Sequence, residues 1–363
     1  MTEFVSTQVQ GGVAYLTLTR PQALNALSLE MIRAFTDALQ RWESDPEVHA
    51  VVVAGAGGKA FCAGGDIRWF HHAHHANDPL LDQFFVEEYA LNYLIHRYGK
   101  PYIALMDGVV MGGGMGISQG ARLRVVTERT KMAMPETNIG LFPDVGGGWF
   151  LARTPGRIGE FLGLTGTVIG AADALFAGLA DAYLPTNAVA EMVASMQAQR
   201  FDNGDAVLTH IATFTRQHTG ACVPRDSQLA RHADQIDALF AGATAQAILA
   251  AVSDAEGDWA AQIAAALRSR SPLMLCVTLE QIRRARTMSL EDELRMELDM
   301  MHDVFRHGDG VEGIRALAID KDHQPKWNPL PLDEVSPARV RAFFDSPWRR
   351  EDHPLATLGG QVE

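Results

Sequence analysis

The run Ala50-Val51-Val52-Val53-Ala54 limits the fold more than any other feature of this chain. Five consecutive small or β-branched apolar residues suit a strand covered on both faces; a half-exposed strand would alternate, and an amphipathic helix would repeat every three or four residues. Tyr102 to Val110 (YIALMDGVV) reads as a second such strand and Leu123 to Val126 as a third. Val13 to Thr19 alternates Ala14, Leu16 and Leu18 with Val13, Tyr15 and Thr17, which is strand periodicity, and Arg20-Pro21 ends it. Ser28 is placed as an N-cap, and Ile32, Phe35, Leu39 and Trp42 follow on one helical face. Buried strands alternating with helices define the α/β class.

The texture changes near Pro185. Residues 186–270 are rich in Ala, Gln and Asp at helical spacing. Ser289 with Asp292 resembles a capping box, and Leu290, Leu294, Leu298, Met301 and Phe305 form the apolar stripe of a packed helix. The expected organisation is an α/β core over 1–185 and a helical C-terminal region over 186–363. That region divides into a variable helical segment (186–270), packing helices (271–345) and a tail (346–363).

Composition narrows the function. Hydrophobic residues make up 47% and charged residues 21% of 363, so the chain can bury a full core. Lys plus Arg total 31 against 44 Asp plus Glu, a net charge of −13, which argues against a nucleic-acid partner and an anionic membrane surface. An anionic small ligand would need local cations or backbone N–H groups. Cys62, Cys222 and Cys276 are odd in number and scattered, as in a reduced intracellular protein without disulfides or a zinc knuckle. With no apolar leader over Met1 to Gln10 and no long apolar run, the expected location is cytoplasmic.

Glycine concentrates at Gly55 to Gly58, Gly64-Gly65, Gly112 to Gly116 and Gly146 to Gly148. Two of these clusters imitate other motifs. Gly55 to Ala60 fits G-x-G-x-x-A, but Phe61 to Gly65 is a poor helix, so a dinucleotide site is not expected. Gly116-Ile117-Ser118-Gln119-Gly120 fits G-x-S-x-G, but Gly112 to Gly114 separates the serine from its strand, so Ser118 is read as a helix-interior residue and not a nucleophile. A better account joins two clusters. Gly64-Gly65 ends the loop after one buried strand, and Gly112 to Gly114 ends the loop after the next and opens a helix. One N–H from each, the second at a helix start, could converge on a thioester or ester carbonyl oxygen. Spacing alone does not establish that convergence.

At these residues the sequence resembles the enoyl-CoA hydratase/isomerase (crotonase) superfamily. The resemblance rests on Arg20 to Leu27 (RPQALNAL), Lys59 to Ile67 (KAFCAGGDI) and Met111 to Gly114 (MGGG). It implies a spiral of ββα units, an acyl-CoA substrate and an oxyanion hole formed by the N–H groups of Gly65 and Gly113. It also implies a CoA and substrate wall that includes Gln22, Ala23, Leu24, Ala63, Gly64, Asp66, Ile67, Arg68, Gly112 and Gly114, with Arg68 near the CoA phosphates. No cofactor is implied, since coenzyme A is part of the substrate, and no metal. A homo-oligomer is implied as possible.

Hydratases of this superfamily carry a catalytic glutamate two residues after the GGG run, and this chain has Gly116 there. The second carboxylate position is filled by Glu136, in Met134-Pro135-Glu136-Thr137, and Phe142-Pro143-Asp144-Val145-Gly146-Gly147-Gly148 follows. With Arg315 to Asp322 and Pro325-Lys326-Trp327, this pattern resembles the 3-hydroxyisobutyryl-CoA hydrolase subfamily. The implied reaction is thioester hydrolysis in valine breakdown. Glu136 is the catalytic carboxylate, as general base or as nucleophile. Asp144 binds the 3-hydroxyl of the acyl group or orients Glu136. The alternative is an enoyl-CoA hydratase or isomerase acting on another acyl-CoA. His71, His72, His74 and His75 include an i, i+4 pair, but without further ligands they are read as a solvated helix face.

Overall fold

A computed structural model describes residues 3–219, 226–328 and 331–360; Cys222 lies outside them. Nine strands occur among the described residues: β1 (Val5–Gln10), β2 (Val13–Leu18), β3 (Ala50–Gly55), β4 (Ala60–Cys62), β5 (Tyr102–Met106), β6 (Val109–Met111), β7 (Leu123–Val126), β8 (Lys131–Ala133) and β9 (Ala182–Tyr183). They form a six-stranded sheet in the order β1-β2-β3-β5-β7-β9 and a three-stranded sheet in the order β4-β6-β8. Only the β1–β2 pair is antiparallel.

The run from Tyr102 to Val110, read as one strand, is two. Asp107-Gly108 breaks it, and its halves enter different sheets. Gly108 has φ +87°, and a Cβ there would lie 2.3 Å from Lys59 O, so only glycine fits this corner. The same step recurs three times: β3 then β4, β5 then β6, β7 then β8 each pass from the large sheet to the small one across a short turn. Helical segments follow each pair, including Ile67–Ala76 after β4 and Gly113–Gln119 after β6. This is the expected spiral of ββα units. The antiparallel β1 carries a mostly polar exposed pattern and gave no strand signal in the sequence.

The described residues form two compact units, interleaved along the chain. One comprises residues up to Gly65, then 91–133 and 168–230; the other comprises 66–90, 134–167 and the chain from 231 onward. These units do not follow the expected division at residue 185. The reason is packing. Helices Thr186–Gln197 and Gly204–Thr219 lay Ala188, Met192, Met196, Val207 and Ile211 against Val13, Ala50, Val52, Ile103 and Leu105 of the large sheet. Burying each such Val, Ile or Met side chain contributes roughly 1.5–3 kcal/mol, which ties these helices to the first unit.

The first unit contains all nine strands; the regular elements among the described residues of the second are all helices. Its core includes Phe70, Phe84, Phe85 and Phe305, with Phe70–Phe84 ring centroids 4.7 Å apart and Phe85–Phe305 centroids 5.8 Å apart. Ser289 caps helix Leu290–His307 by accepting from Asp292 N at 3.1 Å. The expected tail is pinned, since Arg295 donates to Leu355 O. No described helix is long and apolar enough to cross a membrane.

Candidate active site

In the strand unit, β4 and β6 run side by side, with Ala60 opposite Val109 and Cys62 opposite Val110. Their C-terminal ends bring Ala63-Gly64-Gly65 next to Gly112-Gly113-Gly114. Gly64 has φ +104°, and a Cβ there would stand 3.5 Å from Gly113 N. Gly113 is the first residue of helix Gly113–Gln119, so its N–H lies ahead of the helical ladder, which begins with Met115 N on Gly112 O. The two loops expected to supply amides therefore meet.

The segment from Arg20 to Leu27 is stitched to the same loop. Ala63 N donates to Leu24 O at 3.1 Å and Leu27 N to Gly64 O at 2.8 Å. Gln22 and Ala23 lie in a one-turn helix, and Leu24 and Asn25 both take left-handed conformations. Asn25, itself fully buried, holds this shape: its Oδ1 accepts from Arg20 N, and its Nδ2 donates to Ala56 O and Ala60 O. Ser118 sits inside the short helix and donates to Met115 O, so it is not a nucleophile at a strand–helix elbow. Cys62 is buried, forms no disulfide, and donates from Sγ to Gly64 O at 3.8 Å.

In the helical unit, Asp66 caps helix Ile67–Ala76 by accepting from Trp69 N, and Arg68 is exposed on its first turn. The carboxyls lie elsewhere in this unit. Glu136 opens a single 3-10 turn, Glu136–Ile139, and is 6% exposed with Oε2 unpartnered. Asp144 is 8% exposed, and its Oδ2 accepts from Tyr89 OH at 2.9 Å. Glu88, beside Tyr89 in the chain, is also buried, with Oε1 unpartnered.

Among the described residues no cation forms an ion pair with this group, and burial is the largest influence on its protonation. Burial, then the Asp144 charge, holds Glu136 well above the usual carboxylate range. Burial pushes Asp144 up to about 6 against the pull of the Tyr89 hydroxyl. Glu88 is raised by burial and by Asp144. Tyr89 stays protonated, because burial and Asp144 raise its own pKa, and so it remains a donor. Asp144 is thus an acceptor for the Tyr89 hydroxyl, and Glu136 is a carboxyl with raised proton affinity, the property a general acid–base group requires.

Residues 13–344 match the enoyl-CoA hydratase/isomerase family. The chain belongs to that family. The mitochondrial 3-hydroxyisobutyryl-CoA hydrolase of Xenopus tropicalis is 40% identical over 338 residues, covering 93% of this chain and 87% of that one. The human protein of the same name is 38% identical over 346 residues, covering 95% and 89%. Among solved structures, a carnitinyl-CoA dehydratase from Mycobacterium thermoresistibile superposes with a TM-score of 0.88 at 40% identity, covering 95% of this chain and 97% of that one.

Within this family member, position 116 is a buried glycine in helix Gly113–Gln119 and has no side chain to offer. Several site neighbours escaped the sequence reading. Tyr89 and Glu88 sit in a helix whose apolar residues surround it, so no polar face singled them out. Glu293 and Glu297 carried a signal that was passed over: they fall within the apolar arc of Leu290, Leu294, Leu298 and Met301. His71 and His75 form a pair with Nε2 atoms 3.2 Å apart. No group of three or more His, Cys, Asp or Glu able to hold a metal occurs among the described residues.

Proposed function

We propose that this chain hydrolyses 3-hydroxyacyl-CoA thioesters, 3-hydroxyisobutyryl-CoA first among them, giving CoA and the free 3-hydroxy acid. The observation that carries this reading is the carboxyl set: a buried Glu136, a buried Asp144 that accepts from Tyr89, and glycine at 116. Syn addition of water across a C=C by two glutamates lacks one of its partners. Thioester hydrolysis needs one carboxyl at the carbonyl carbon and donors at its oxygen. The relatives named 3-hydroxyisobutyryl-CoA hydrolase support the same reaction.

In this reading the N–H groups of Gly65 and Gly113 receive the carbonyl oxygen as it becomes an oxyanion. Gln22, Ala23, Leu24, Ala63 and Ile67 line the CoA path, and exposed Arg68 meets its phosphates. Asp144 accepts the 3-hydroxyl, which selects for substrates that carry it. Glu136 either takes the proton of the attacking water or attacks the carbon itself. A single turnover in ¹⁸O-water separates these routes when water opens the anhydride at the Glu136 carbonyl: the nucleophilic route then leaves the label in Glu136 and gives an unlabelled acid, whereas the general-base route puts the label in the acid alone.

The deciding assay follows thiol release from 3-hydroxyisobutyryl-, 3-hydroxypropionyl- and isobutyryl-CoA, beside loss of enoyl absorbance from crotonyl-CoA. Thiol release that Glu136→Gln abolishes supports the proposal. Hydration of crotonyl-CoA without thiol release favours the second reading, an enoyl-CoA hydratase, to which the dehydratase neighbour lends weight. A cytoplasmic location belongs to this proposal too, beside relatives named as mitochondrial, and fractionation tests it.

A further inference from the structure

Asp144 stands in an irregular segment with an unusual backbone. Val145 and Gly146, which follow it, have φ +58° and +84°. A β-branched residue in the left-handed region is strained and persists only where its surroundings hold it. Two buried side chains from different helices do so. Glu297, on helix Leu290–His307, accepts from Gly146 N through Oε2 at 2.8 Å and from Gly148 N through Oε1 at 3.3 Å. Gln281, on helix Pro272–Ala285, donates from Nε2 to Pro143 O at 2.7 Å and to Glu297 Oε1 at 3.0 Å. The backbone is thus gripped on both sides of Asp144, while Gly147 N closes the turn onto Asp144 O at 2.8 Å.

This clamp is an expensive way to hold a loop. Glu297 and Gln281 are both fully buried, and so is Glu293, one turn before Glu297. Burial pushes the carboxyls of Glu293 and Glu297 upward, so the pair retains a proton between them. Well-packed apolar residues in such places are commonly as stable or more so. Gly148 is fitted to the cluster, because a Cβ there would lie 2.4 Å from Glu293 Oε1. Bulk stability does not call for this arrangement; fixing the backbone at Asp144 does.

We infer that Glu297 and Gln281 are positioning residues for the reaction, which hold Asp144 where the 3-hydroxyl of the acyl group must meet it. The inference rests on the proposed hydrolase reading. The test is a double-mutant cycle on the full chain with Glu297→Gln and Asp144→Asn. Glu297→Gln keeps the volume but turns an amide toward the backbone N–H groups. It is expected to lower kcat/KM for 3-hydroxyisobutyryl-CoA by about 10- to 100-fold. On the Asp144→Asn background, and with isobutyryl-CoA, it is expected to change the rate less than about threefold. Additive effects, or equal losses on both substrates, overturn the inference. Should Glu297→Gln fail to fold, Gln281→Met removes the donor to Pro143 O and is read in the same way.

Amide hydrogen exchange supplies a readout without substrate. Residues 144–148 are expected to exchange at least about tenfold faster in Glu297→Gln, with helix Ile158–Thr165 unchanged. Unaltered exchange at 144–148 overturns the inference. A wild-type protein that releases no thiol refutes the hydrolase reading instead, and the exchange result still decides whether the clamp holds this backbone.

Discussion

Gly114→Ala tests the amide pair of the strand unit. A Cβ at position 114 would lie 2.1 Å from Cys62 O, 2.9 Å from Cys62 C and 3.1 Å from Cys62 Cβ. Ordinary contact begins near 3.4 Å, so the end of β4 and the start of helix Gly113–Gln119 must part by about 1 Å. No flexible side-chain tip can absorb this, because the nearest atom is a backbone carbonyl. Overpacking of this kind costs about 1–3 kcal/mol of stability. Gly113 lies immediately before the clash and Gly65 three residues after Cys62, so the parting falls on the two proposed oxyanion donors.

A 1 Å misplacement at a reacting centre costs about 100-fold in rate, close to the loss of one oxyanion donor. The assay is thiol release from 3-hydroxyisobutyryl-CoA, with free CoA as a competitive inhibitor to report ground-state binding. The expected result is a roughly 100-fold fall in kcat, with a smaller weakening of CoA inhibition because Gly114 also belongs to the proposed CoA and substrate wall. Gly170→Ala is the control, since its Cβ would meet nothing within 4 Å and its backbone is extended. A Gly114→Ala protein that turns over as fast as the Gly170→Ala control refutes the assignment of Gly65 and Gly113.

Three further outcomes follow. Tyr89→Phe removes the donor to Asp144 Oδ2, a hydrogen bond to a charged group worth about 1.5–3 kcal/mol. Asp144 titrates near 6 in the fold against an ordinary 3.8, so its contribution to stability is full below the lower value and lost as pH rises through the higher. The stability gap between Tyr89→Phe and wild type therefore widens from pH 5 to pH 8 in chemical denaturation, and a gap that narrows contradicts the scheme. Glu136→Gln is expected to cut turnover by about 10²–10⁴-fold. Because the folded pKa of Glu136 is also raised, this variant gains stability over wild type at alkaline pH, measured as Tm at pH 5 and pH 9. Asn25→Ala leaves Ala56 O, Ala60 O and Arg20 N without their partner and is expected to cost about 2–4 kcal/mol in urea unfolding.

The strands that position the amides were legible because β3 and β5 carry unbroken, largely buried apolar runs, whereas β7 is broken by Arg124 and buries only Val125 and Val126. The division of Tyr102 to Val110 between two sheets was not, because Asp107-Gly108 interrupts the run without breaking its apolar character. Glu136 and Asp144 were found through the motif around them, since a single carboxylate in a sequence gives no sign of being buried. Tyr89, Gln281 and Glu297 lie 55, 138 and 151 residues from their partners Asp144, Pro143 and Gly146. Only the folded chain brings such groups together. Glu293 and Glu297 were nevertheless readable as charges inside an apolar arc, and such charges are seldom idle.

The uncompensated carboxyls of the helical unit also bear on the direction of the reaction. In the proposed site, hydrolysis converts a neutral acyl group into a carboxylate anion beside Asp144, whose charge already raises the proton affinity of Glu136. The product arrives as one more like charge beside buried carboxyls that pair with no described cation, and the same repulsion expels it. The enzyme then resists inhibition by its own acid product near neutral pH and becomes sensitive to it as the medium is acidified and the product takes up a proton. Inhibition by 3-hydroxyisobutyrate that is equally strong at pH 8 and pH 5 contradicts this.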